Sequence, residues 1–293
     1  MPNTCPRHPD RPTALSCTRC GRSACPECLR PAPVGQHCVD CVAREQAAAR
    51  VDPAAPAQAA TATPYVTFGL IAVNVVLFLA CLAQAGRGVL FSSRELGRST
   101  IMQEGVLITG WDGVFLDEYW RLFTSGFLHW SLMHLAVNMI SLYVVGRDLE
   151  RLFGKVRYGA LYLIALLGGS AAVVVLEHDG ALTAGASGAL YGLLGALLVV
   201  VLRLKLPATS VLTVIVLNVV ISFGIPGISL YAHLGGLLFG ALSALALLWL
   251  PMVLLAPEER TVAAVSRVGW IGLAALFVIA SGIGIGYGAV LSL

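Results

Sequence analysis

Four polar side chains interrupt segments that are otherwise apolar: His134, Asn138, Ser187 and His233. Polar groups are costly in such surroundings and are candidate functional positions for that reason. Ser187 stands in the run Gly185-Ala186-Ser187-Gly188, whose glycines let another backbone or a substrate come close. A histidine on a neighbouring helix could take the serine proton, which is the minimum for nucleophilic acyl transfer, and His233 is the candidate. The chemistry would be hydrolysis of a peptide bond. A tetrahedral oxyanion then needs fixed donors. The side chains of His134 and Asn138, four residues apart and so on one helix face, can supply them together with the Ser187 N–H at a helix N-terminus. No carboxylate lies in the interior of these apolar segments, so a Ser-His dyad is expected rather than a triad. Tyr191, four residues after Ser187 and on its face, could stack on the His233 ring and fix its orientation.

The elements that must bring these residues together are membrane helices. Of 293 residues 57% are hydrophobic and 12% charged, with a mean hydropathy of +0.82, which excludes a soluble globular enzyme. Apolar stretches of spanning length recur at 65–86, 127–147, 157–177, 186–204, 208–224, 229–251 and 267–291. An all-α polytopic bundle of seven transmembrane helices follows. A lone serine in such a helix more often bonds the carbonyl four residues back or lets helices approach, and the company of His233 and of His134 with Asn138 argues for chemistry instead. The steps Gly188/Gly192 and Gly236/Gly240 are expected to let the fourth and sixth helices pack closely, bringing Ser187 to His233.

Fifteen of the nineteen basic residues fall in the N-terminal tail and in alternate loops. The positive-inside rule therefore places the N-terminus in the cytosol, the C-terminus outside, and the four polar residues in the outer halves of their helices. Met1 to Val51 has no apolar core of a signal peptide, so it is expected to stay cytosolic. A net charge of +3 without a basic stripe argues against a nucleic-acid partner. Seventeen Arg against two Lys, with abundant Ala, Gly and Leu, is the usage of a GC-rich bacterial genome, which points to a bacterial inner membrane.

Seven of the eight cysteines precede residue 51, spaced as C-x2-H at Cys5 and His8 and as C-x2-C at Cys17/Cys20, Cys25/Cys28 and Cys38/Cys41. In a reducing compartment such pairs are metal ligands, and eight of them suit two tetrahedral zinc ions. The order resembles small cross-braced B-box-type zinc fingers. That resemblance implies one ion on Cys5, His8, Cys25 and Cys28 and the other on Cys17, Cys20, Cys38 and Cys41. A domain over 1–42 is too small to fold on apolar burial, so metal would supply most of its folding energy, and docking a cytosolic partner is its expected task. Residues 43–63, rich in Ala and Pro, read as a tether to a membrane domain over 64–293.

The membrane part resembles the rhomboid intramembrane serine proteases. The resemblance rests on Gly185-Ala186-Ser187-Gly188, similar to G-x-S-G; on Ala232-His233-Leu234-Gly235-Gly236 with Gly240, similar to A-H-x-x-G-x-x-x-G; on His134 and Asn138, similar to H-x-x-x-N; and on Trp120-Arg121 in the first loop. It implies six core helices with an added seventh, Ser187 as nucleophile and His233 as general base. It also implies single-span membrane proteins as substrates, cut in or beside their transmembrane segment within the lipid bilayer, with no cofactor needed for catalysis. Trp120 and Arg121 are expected to hold the first loop, and His129 to help by hydrogen bonds. Glu150 and Arg151 are expected to pair and hold the end of the second helix. The competing readings are a catalytically silent rhomboid-like binding protein, against which the intact Ser187 and His233 speak, and a transporter, for which internal repeats are lacking.

Overall fold

The computed structural model describes residues 4–32, 35–44, 63–85, 98–109, 118–177, 180–224 and 227–291. Most of the expected tether, and Arg87 and Arg94 of the first loop, lie outside them. The chain forms two compact units, Met1–Ala55 and Pro56–Leu293.

In the first unit, β1 (Thr4–Cys5) pairs antiparallel with β2 (His8–Pro12), and β3 (Leu29–Pro31) pairs with β4 (Gln36–Cys38). Its buried cluster is six cysteines with Ala24 and Leu29. So small an apolar core cannot outweigh the entropy of ordering the chain.

The second unit is helical: α1 (Tyr65–Ala85), α2 (Thr100–Gly105), α3 (Arg121–Thr124), α4 (Leu132–Ser141), α5 (Arg147–Phe153), α6 (Lys155–Leu176), α7 (Ser187–Arg203), α8 (Thr209–Gly224), α9 (Leu230–Leu248) and α10 (Val262–Leu291). Each predicted span falls on one of these helices. Four of them, α1, α6, α9 and α10, are long and apolar enough to cross a membrane, and a fifth crossing is made if Arg121–Phe127 and Leu132–Phe153, bent by 91°, count as one. α7 and α8 have only 17 and 16 residues, less than the roughly 20 that a bilayer core needs.

The second predicted span starts at 127, but its helix starts at Leu132, where Ser131 caps it by accepting the N–H of His134. It runs on through a π-helical turn, Leu142–Gly146, to Phe153, and Gly154 ends it at φ +79°. Glu150 therefore lies in the helix and is buried. It does not pair with Arg151, which reaches Asp148 instead. Its carboxylate accepts the N–H groups of Val66 and Thr67 at 2.9 and 2.8 Å and the Thr67 hydroxyl at 2.8 Å, so it closes the N-terminus of α1. A helix start has unsatisfied donors and a positive dipole end, and a buried carboxylate answers both.

α9 is the central helix, packed on α7, α6 and α10. A Cβ on Gly236 would overlap the carbonyl oxygen of Gly188, and one on Gly240 that of Gly192. The two glycine steps thus let α7 and α9 meet backbone to backbone, as expected. Ahead of α7, β6 (Leu182–Thr183) pairs with β5 (Leu107–Ile108) of the first loop. α7 then starts at Ser187.

Candidate active site

Ser187 is the first residue of α7, and His233 lies in the first turn of α9. The close α7–α9 packing sets the Ser187 Oγ 2.9 Å from His233 Nε2. The imidazole is buried, and the Tyr191 ring stacks on it at 3.9 Å between centroids and 10° between planes. Parallel stacking of this kind fixes the tilt of the ring. On its other nitrogen, Nδ1 lies 2.8 Å from the hydroxyl of Ser222 on α8. Sequence reasoning missed Ser222. The only signal was one hydroxyl near the end of an apolar helix, and nothing in a sequence says which ring it meets. Ser229 caps α9 by accepting the Ala232 N–H and donates to Glu177 at 2.7 Å, anchoring the turn that carries His233.

Gly185 has φ +143°, a conformation open to glycine, and its N–H donates to the Ser125 carbonyl. A Cβ built there would lie 2.8 Å from the His134 ring and 3.5 Å from Ser187 Oγ, so His134 and Ser187 border the same glycine. Asn138 is one turn further along, and one of its two amide protons goes to the His134 carbonyl at 2.8 Å. Ser187, His233 and Tyr191 thus meet at the α7 N-terminus, His134 borders Gly185 in front of it, and Asn138 is tied to the site through its bond to the His134 carbonyl. The arrangement can place donors on one side of a carbonyl and a nucleophile with its base on the other.

The first loop is held by residues just before the bend. Arg121 is buried. It donates to the carbonyls of Gln103 and Val106 at 2.7 and 2.9 Å and to Glu118 at 2.6 Å, while Trp120 Nε1 donates to the Glu104 carbonyl and Thr124 to that of Gly105. These bonds satisfy carbonyls left open at the end of α2. His129 has no hydrogen-bond partner at either ring nitrogen among the described residues, contrary to expectation. It packs edge-on to His134 at 4.9 Å and supports that ring by contact.

The Rhomboid domain profile matches residues 116–250. The rhomboid protein YdcA of Bacillus subtilis (strain 168) is 34% identical over 177 residues, which are 58% of this chain and 82% of that protein. This chain belongs to the rhomboid family. Rhomboid protease GluP of Bacillus subtilis (strain 168) is 38% identical over 123 residues, 40% of this chain, and RHOMBOID-like protein 4 of Arabidopsis thaliana is 38% identical over 125 residues, 41% of this chain. The matched stretches span only 24% and 32% of those two proteins.

In this rhomboid the N-terminal unit has two potential metal centres of its own. The ligand atoms of Cys5, His8, Cys25 and Cys28 lie within 4.8 Å of one another, and so do those of Cys17, Cys20, Cys38 and Cys41. His8 Nδ1 is 3.3 and 3.4 Å from the sulfurs of Cys25 and Cys28. The grouping is the cross-braced one. Backbone N–H groups, first that of Cys25, hold the Cys5 thiol at about 6. Burial opposes ionisation of Cys17, yet the amides of Cys38, Cys20 and Arg19 outweigh it and leave this thiol also at about 6. Burial, with neighbouring thiols, pushes Cys28 up to about 11 and Cys41 to about 12. A set in which some thiols are already poised as thiolates and others are held protonated beside them fits a cation, which would let all ionise.

Proposed function

We propose that this rhomboid is a serine endopeptidase of the bilayer that cuts single-span membrane proteins in or next to their transmembrane segment. The observation that carries this reading is the 2.9 Å separation of Ser187 Oγ and His233 Nε2 at the N-terminus of α7. Ser187 attacks the scissile carbonyl as its proton passes to His233, and His233 returns a proton to the leaving amine. Water then hydrolyses the acyl-enzyme with the same base. His134, Asn138 and the Ser187 N–H stabilise the oxyanion, and Tyr191 orients His233. The catalytic centre uses no metal.

The N-terminal clusters hold two structural zinc ions, and that unit recruits a cytosolic partner or adaptor. The distribution of basic residues supports a cytosolic N-terminal unit with the C-terminus and the opening of the site on the outer side, and the Arg-rich, Lys-poor usage supports a bacterial inner membrane. Unchanged cleavage and complex formation after deletion of residues 1–50 would remove the recruiting role. The proteolytic reading is tested by cleavage of a single-span membrane protein in liposomes against Ser187→Ala.

A further inference from the structure

The described part of α8 turns almost entirely away from the bundle: Ile215 and Ser222 are its only buried residues. Ser222 is 6% exposed, and it is the α8 side chain that reaches the site. A hydroxyl has one proton to give and two lone pairs to accept with. The proton of Ser222 goes to the Asn218 carbonyl one turn back, at 2.8 Å, the usual bond of a serine in an apolar helix. Toward His233 Nδ1, 2.8 Å away, Ser222 can therefore only accept. The Tyr191 hydroxyl lies 3.4 Å away, and with the Ser222 proton on Asn218 it is left to donate to the second lone pair.

The bond to the Asn218 carbonyl ties the state of the histidine to that of the Ser222 proton. If Ser222 accepts, Nδ1 carries the hydrogen, and Nε2 presents its lone pair to Ser187. We propose that Ser222 is a third, positioning member of the Ser187–His233 centre, selecting the Nδ1–H tautomer and stabilising the imidazolium formed during the reaction. The inference rests on the proteolytic reading only for its kinetic consequence. In the step concerned, the Ser187 Oγ–C bond forms as the serine proton moves to Nε2. The resulting cation keeps Nδ1–H on Ser222, and the Nε2 proton leaves with the amine nitrogen as the C–N bond breaks. Ser222 exchanges no proton. It does what a carboxylate does in a hydrolytic triad, without placing a formal charge among apolar helices where a charge is costly. The carbonyl of Asn218 polarises the hydroxyl and strengthens its acceptance from the imidazolium.

The proposal is tested on the full chain in two ways. Histidine-15N spectra of detergent-solubilised protein, with His233 assigned by its loss in His233→Ala, report the tautomer directly. Wild type should show Nδ1 protonated and Nε2 unprotonated, and Ser222→Ala should lose that preference. An Nε2–H tautomer in wild type, or no change in Ser222→Ala, overturns the proposal. Kinetics in liposomes form the second arm. Ser222→Ala should lower kcat by about 10- to 100-fold, the size of a hydrogen bond to a charged group, with little change in KM. Ser222→Thr keeps the hydroxyl and the bond to the carbonyl four residues back, and should recover most of the rate. Equal losses in Ala and Thr, or a loss confined to KM, would assign Ser222 a packing role only. A wild type that holds the Nδ1–H tautomer but cuts nothing would sink the proteolytic reading while leaving the tautomer assignment in place.

Discussion

At the scale of single residues, the centre depends on how closely side chains approach the Ser187 hydroxyl. Gly185 is the tightest point, since its φ of +143° and the nearby His134 ring both exclude a side chain. Gly185→Ala should displace His134 from the serine and lower kcat/KM by roughly 100-fold, as misplacements of about 1 Å do, in the same cleavage assay. Activity within a few-fold of wild type would mean that His134 does not act from this position. Ser187, His233, His134, Asn138 and Tyr191 were visible as candidates in the sequence because each is a polar or aromatic residue at helical spacing in apolar surroundings. Ser222 and the buried role of Glu150 were not. Glu150 acts on Val66 and Thr67, 84 and 83 residues away, and Ser222 on a ring of the next helix, and a local pattern does not hold that information.

Individual elements are positioned by polar contacts at their ends as much as by their apolar faces. The seven apolar segments were legible to within a few residues because membrane-spanning length is a strong signal. The start of the second was misplaced because Phe127 and Leu128 are apolar yet stand in the bend before α4, which begins only after Ser131 supplies its cap. The start of α1 depends on Glu150, which accepts three hydrogen bonds there. Glu150→Ala leaves the buried N–H of Thr67 and the part-buried one of Val66 without this acceptor. It should destabilise the membrane unit by about 2 to 4 kcal/mol, measured by thermal unfolding in detergent. An unchanged melting temperature would contradict the capping role. The sequence reads 186–204 as a full span, whereas α7 has 17 residues and begins at the nucleophile, after β6 and Gly185.

For the whole molecule, two units rest on different physics. The membrane unit buries an extended apolar core, whereas the N-terminal unit has little but sulfur inside. Chelation of zinc from the full chain should abolish hydrogen-exchange protection in residues 4–44 and leave it in 65–85 and 155–176. Retained protection in the N-terminal unit would show that metal does not hold it. The central claim is the peptidase centre at the start of α7, and its most direct measurement is proteolysis by the purified rhomboid in liposomes of a single-span membrane protein with a helix-weakened outer end. Wild type should cut it, and Ser187→Ala and His233→Ala should not. Cutting that survives Ser187→Ala would contradict that claim.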